Sequence, residues 1–168
     1  KLCVPYYLLW PYTRVNFVSA EETMKKNWLS KLFALAGSVM VKRVWTDDSK
    51  ETRKGIDPSD TRKISRVLQK NWVITFPQGT TTPYAKGRKG TAFIIKHYKP
   101  IVIPVVINGF NKAFDKKGLK LLKKGTQLSV TFKDPLKINF EDATENILEE
   151  IMDAIEQSAR FRSAVINP

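Results

Sequence analysis

The sequence predicts an α/β fold, a single domain with a central, mostly parallel or mixed sheet flanked by helices. Three observations carry that expectation. Apolar residues switch along the chain between helical and strand-like spacing. Strand-like runs alternate with segments long enough to be helices. A chain of 168 residues that is 42% hydrophobic has the material for one core.

The elements follow in order. Residues 19–36 read as a helix, with a Ser19–Glu22 capping box and Met24, Trp28, Leu32 and Leu35 at helical spacing; Gly37 ends it. A strand at residues 39–44 follows, then a polar loop at 46–55. Asp57 caps the next helix, Pro58 takes its first position, and Ile64, Val67 and Leu68 form its buried stripe. Residues 72–76 read as a short buried strand, and a loop from 77 to 89 leads into a helix near 90–98. Residues 101–107 read as another buried strand and 128–132 as a late one. An amphipathic helix closes the chain, its apolar face formed by Ile147, Leu148, Ile151, Met152 and Ile155.

Charge narrows the partners. The chain carries 29 Lys and Arg against 16 acids, a formal net charge of +13. Seven of those acids lie in residues 141–157, a segment with no Lys or Arg, so the remainder is more basic still. Such a field concentrates phosphate esters, nucleic acid or an anionic bilayer. A basic surface kept for solubility is the plain alternative. One Cys and one His exclude a disulfide framework and a four-ligand zinc site built from this chain alone. No apolar stretch approaches the length of a membrane span.

Two segments have the composition of a phosphate site. Phe76-Pro77-Gln78-Gly79-Thr80-Thr81-Thr82-Pro83 follows a strand; Pro77 halts it and Gly79 permits a sharp turn. Backbone amides and three threonine hydroxyls then become available at the end of the sheet. Lys86, Arg88 and Lys89 precede a helix start near Gly90, a combination of cations and oriented amides suited to an anion. In Gly37-Ser38-Val39-Met40-Val41-Lys42-Arg43 an apolar strand ends on a guanidinium, which grips phosphate oxygens bidentately. Solvated surface cations are the other reading of both.

Taken with Val102-Ile103-Pro104-Val105, these segments resemble the lysophosphatidic acid acyltransferase family. The family's second block is similar to residues 37–43. Its Phe-Pro-Glu-Gly-Thr block is similar to Phe76-Pro77-Gln78-Gly79-Thr80, and its Pro-bearing apolar strand to residues 102–105. Order and spacing agree over roughly residues 10–110. This sequence departs from the pattern in three ways. Residues 1–14 hold neither the His nor the Asp of the family's opening His-x-x-x-x-Asp motif, which by order would lie upstream of Lys1. The family Glu is Gln78. The Arg or Lys that often follows Gly-Thr is Thr81.

The resemblance implies an acyltransferase domain over residues 1–168, lacking that opening segment. It implies transfer of an acyl group from acyl-CoA or acyl-carrier protein to the free hydroxyl of lysophosphatidic acid, in phospholipid biosynthesis. No metal or bound cofactor is implied. The absent His would be the general base, a contribution of roughly 10²–10⁴ in rate. Arg43, with Lys86, Arg88 and Lys89, would hold the acceptor phosphate. Phe76, Pro77, Gln78, Gly79, Thr80 and Thr81 would position substrate or the developing oxyanion. A different lysolipid acceptor, or lipid-phosphate binding without catalysis, is the alternative.

An anionic membrane surface is the expected partner, with the protein peripheral at the cytoplasmic face or anchored by segments outside this chain. Tyr6, Tyr7 and Trp10 among leucines and prolines suit a bilayer interface, as does packing in the core. Residues 112–124 carry six lysines and one Asp. His97 is expected as a surface or helix-end histidine rather than a base, and Cys3 as no nucleophile. Gly87-Arg88-Lys89-Gly90 has the Gly-x-x-Gly form of an RNA clamp, but that clamp joins two helices and this one follows a strand and a Pro-bearing loop. Nucleic acid is therefore not an expected partner.

Overall fold

The computed structural model describes residues 15–21, 24, 37–41, 58–80, 82–115 and 120–166. The expectations for Arg43, Thr81, the aromatic segment at 2–11 and the loop at 46–55 lie outside the described residues. The architecture is mixed α/β, and chain contacts divide it into two compact units, Lys1–Phe76 and Pro77–Pro168.

In the first unit β1 (Val15–Ala20) is the middle strand of a parallel sheet, with β2 (Ser38–Val41) on one side and β3 (Trp72–Ile74) on the other. Phe17 faces Ser38, and Val15 faces Trp72. Parallel neighbours need crossover connections. Helix α1 (Pro58–Leu68) connects β2 to β3 and packs against both strands, and its Ile64 is 1% exposed. Asp60 is equally buried and ion-paired to Lys63 at 2.8 Å.

The second unit holds α2 (Lys89–Tyr98), β4 (Val105–Asn108), the short α3 (Phe110–Ala113), β5 (Ser129–Phe132), α4 (Thr144–Ala154) and α5 (Ala159–Ile166). Strands β4 and β5 pair antiparallel, Val105 facing Phe132. The core lies where α4 meets α2: Ile147, Leu148, Ile151 and Met152 are buried with Ala92, Ile95 and Ile138. Ile155 packs on the edge of this cluster, so all five apolar positions expected of the closing helix face it. Burying side chains of this size stabilises by about 1.5–3 kcal/mol each.

Three expectations are corrected. Ser19 does not cap a helix; it lies in β1 and its hydroxyl hydrogen-bonds that of Ser38. A cap is worth about 1 kcal/mol, and here a β-rich segment paired on both sides outweighs it. The strand at 72–76 is not buried: Trp72, Ile74 and Phe76 are 57%, 47% and 58% exposed. An unbroken apolar run does not reveal whether one face or two are covered. Nor is the whole of 101–107 a buried strand. Ile101 and Ile107 are 81% and 52% exposed, and regular pairing starts only after Pro104, which has no N–H to donate. The chain at 101–104 still accepts bonds, from Leu136 N to Val102 O and from Lys133 N to Pro104 O. The strands thus form a parallel and an antiparallel sheet, one in each unit.

Ile147 is 1% exposed in that core. Ile147→Ala is expected to lower the unfolding free energy by about 2–5 kcal/mol, and Ile147→Val by about 0.5–1.5 kcal/mol, read from urea unfolding curves. Equal midpoints for Ala and parent would mean that α4 contributes no core.

Candidate functional site

β3 ends at Ile74, and the loop that begins at Pro77 is closed by the Arg88 amide, which donates to the Pro77 carbonyl at 2.8 Å. Inside the loop, Thr82 N donates to Thr80 Oγ1 at 3.2 Å, and Thr80 Oγ1 to Thr82 Oγ1 at 3.3 Å. Gln78 Nε2 donates across the loop to the Ala85 carbonyl at 3.0 Å.

Two glycines let other groups approach the loop backbone closely. Gly79 has φ +61°, and a Cβ there would sit 3.1 Å from Arg88 Nε and 3.4 Å from Arg88 Cζ. The Arg88 side chain therefore lies against the bare Gly79 backbone. At Gly87 a Cβ would lie 2.9 Å from both Leu148 Cδ1 and Met152 Sδ. The end of the loop is thus seated directly on the apolar face of α4.

Helix α2 starts at Lys89, with Arg88 extended at the N-cap (φ −101°, ψ 135°). No side chain caps it and no acid lies in its first turn. Its first amides are left to solvent or an anion. Lys86, Arg88 and Lys89, just before and at this end in the chain, are all exposed. Lys89 forms an ion pair with Glu145 of α4; with both side chains more than half exposed, the pair contributes little to stability. Among the described residues no ion pair takes Lys86 or Arg88.

Of the residues expected from the sequence, the structure places Pro77, Gln78, Gly79, Thr80, Lys86, Arg88 and Lys89 on this one loop and helix start. Phe76 precedes it, exposed. It brings Arg88 onto Gly79 and turns Lys89 toward α4. His97 is exposed near the end of α2, stacked on Phe93 at 5.9 Å and edge-on to Tyr98 at 4.8 Å. Two participants escaped the sequence reading. Gln157 Oε1 accepts the Tyr84 amide at 3.0 Å and lies 3.4 Å from Gln78 Nε2. Tyr84 itself is held at φ +56°. Gln157 follows the acidic helix with no local signal of a role in a loop so far upstream. Glu145 was legible only as one charge in an acidic run.

Together these features define an α/β protein that carries, on one loop, a glycine turn, a helix N-terminus with no side-chain cap and exposed cations, two of which, Lys86 and Arg88, make no ion pair among the described residues. The comparison with known families agrees with that class. The Acyltransferase family model matches residues 4–108, more than half of the chain, and the chain belongs to that family. Its chemistry is acyl transfer in glycerolipid synthesis. No curated protein and no solved structure matches the chain.

Gly79→Ala is expected to cost roughly 1–2 kcal/mol for the left-handed backbone alone, and more because the new methyl meets Arg88. Gly125 provides the control, with φ +75° and nothing near its absent Cβ. Urea midpoints should fall further for Gly79→Ala than for Gly125→Ala; equal shifts would mean that Arg88 yields freely.

Proposed function

We propose that the acyl acceptor is a lysophospholipid carrying a phosphate monoester, lysophosphatidic acid or a near relative, and that the donor is an acyl thioester of coenzyme A or acyl-carrier protein. The observation that carries this reading is Arg88 laid over Gly79 at the uncapped start of α2. A phosphate there would meet a guanidinium, helix amides and Lys86 without displacing an ion pair. Lys89 would join by leaving Glu145, and Arg43 is the further phosphate ligand expected from the sequence.

In this reading the general base is the His of an upstream His-x-x-x-x-Asp segment, held in orientation by the Asp. It takes the proton of the acceptor hydroxyl as that oxygen attacks the thioester carbonyl. The tetrahedral oxyanion is met by amides of the Gly79–Thr80 turn, then collapses to the ester. The thiolate leaves and recovers the proton from the imidazolium. No cofactor enters these steps.

The acceptor resides in a membrane, and a basic hairpin supports docking at an anionic one. After α3, Leu122 N donates to Ala113 O at 2.7 Å and Phe114 pairs with Leu121. Lys112, Lys120, Lys123 and Lys124 are exposed there beside Leu121 and Leu122, 48% and 61% exposed. Cations near anionic lipid contribute about 1 kcal/mol each. Among the described residues no helix is long and apolar enough to cross a membrane.

Full-length protein that includes the upstream motif should form diacyl product from a labelled thioester and lysophosphatidic acid. Arg88→Ala should raise the acceptor KM about tenfold, the scale of one charge-assisted hydrogen bond, with the donor KM unmoved. Monoacylglycerol, which lacks the phosphate, should be used equally poorly by both proteins. Absence of product with every lysolipid sinks the activity; equal damage with both acceptors sinks the phosphate role.

Sedimentation with vesicles tests the surface. Binding to vesicles containing phosphatidylglycerol should exceed binding to phosphatidylcholine alone and fall as salt rises. Leu122→Asp should weaken it. Equal binding to both vesicle types would remove the anionic membrane as partner.

A further inference from the structure

The loop's form depends on two side-chain amides whose orientations are dictated by backbone groups. The Tyr84 N–H can only donate, so the Gln157 amide turns its oxygen to it, at 3.0 Å. The Ala85 carbonyl can only accept, so Gln78 turns its nitrogen to it, at 3.0 Å. That same nitrogen faces the Gln157 oxygen at 3.4 Å. One NH₂ group therefore bridges two acceptors, and neither amide can flip without stranding a backbone partner.

We propose that Gln157 is a positioning residue for the loop and that Gln78, where the family block has Glu, is matched to it as the donor of this pair. The proposal rests on the reading of the loop as the acyl-transfer site, but not on the identity of the acceptor. A carboxylate at position 78 has no proton to give. It would confront the Ala85 carbonyl and the Gln157 oxygen, three oxygens with no proton between them. If Gln157 flipped to serve it, Tyr84 would lose its acceptor. Tyr84 is a non-glycine residue in the left-handed region, a conformation that persists only where its surroundings hold it. At position 157 the logic reverses. Both groups facing that oxygen are donors, so a carboxylate satisfies them as well as the amide does.

The same Gln→Glu change should therefore have opposite results at the two ends of one hydrogen bond. Two readouts apply to the full-length protein: kcat/KM for acyl transfer, and hydrogen exchange of the Tyr84 amide, which needs no substrate. Gln157→Leu should accelerate Tyr84 exchange and lower kcat/KM, each by about tenfold. Gln157→Glu should hold both within about threefold of the parent; a merely space-filling role would spare Gln157→Leu as well. Gln78→Glu should be impaired like Gln157→Leu. Similar behaviour of Gln78→Glu and Gln157→Glu would overturn the proposal, as would parental exchange and turnover in Gln157→Leu. A parent without acyl transfer to any lysolipid would refute the proposed activity, while Tyr84 exchange would still decide the pairing.

Discussion

The packing of α4 beneath the loop is the contact on which the rest of the second unit depends. Ile147, Leu148, Ile151 and Met152 build the core with α2, and two of them, Leu148 and Met152, come so close to Gly87 that a side chain there would have to push their ends aside. Glu145 in the first turn of α4 holds Lys89, and Gln157 just beyond its last turn holds Tyr84 and Gln78. One helix thus fixes the loop at its start, its middle and its end. The family match stops at residue 108, before this helix begins. The block residues place glycine, proline and cations in order along the chain, and a helix outside the matched region turns that order into a geometry.

The acidic segment has a second consequence, for charge. Glu141 pairs with Lys99, Glu145 with Lys89, Glu156 with Lys133 and Asp153 with Arg160, while the carbonyl of Asp142 takes Lys96. These pairs are exposed enough that their worth to stability is small. Their effect on the field is larger, because they cancel basic charge around the acidic helix. Lys86 and Arg88 on the loop, and Lys112, Lys120, Lys123 and Lys124 on the hairpin, keep theirs among the described residues. Two groups of exposed cations in the second unit therefore keep their charge, one beside a helix start with no side-chain cap and one beside exposed leucines. The proposed function uses the first for the acceptor phosphate and the second for an anionic surface.

What the sequence made legible follows the range of its signals. The stripe of α4 was readable because helical burial repeats every 3.6 residues, and Ile147 to Ile155 keep that period. The loop was readable because Pro77 and Gly79 punctuate locally, and the start of α2 because Pro77–Lys89 has no competing period. Local signals also misled. Ser19 has the form of a cap, yet it lies in a strand paired on both sides. Trp72, Ile74, Ile101 and Ile107 read as buried because apolar runs carry no record of which face is covered. Asp60 was invisible as a buried carboxylate, since nothing in the sequence around it distinguishes it from a solvated acid. Gln157 was beyond reach: its partners are more than 70 residues away, and a single amide has no period.

The Glu-to-Gln departure at position 78 takes on a different meaning in this setting. As a sequence difference it is the loss of a charge, and a lost charge in a motif reads as damage. In the structure the group is defined by hydrogen-bond direction. Ala85 offers a carbonyl and Gln157 an oxygen, so the position calls for a donor, and an amide supplies one where a carboxylate does not. Gln157 presents its oxygen because Tyr84 offers only an N–H. Each member of the chain Tyr84–Gln157–Gln78–Ala85 is thus determined by its neighbour, starting and ending on main-chain groups that cannot change sign. Charge is left to Arg88 and Lys86, both exposed on the same loop. Neutral amides hold the loop's shape, which leaves the cations for the phosphate of the proposed acceptor.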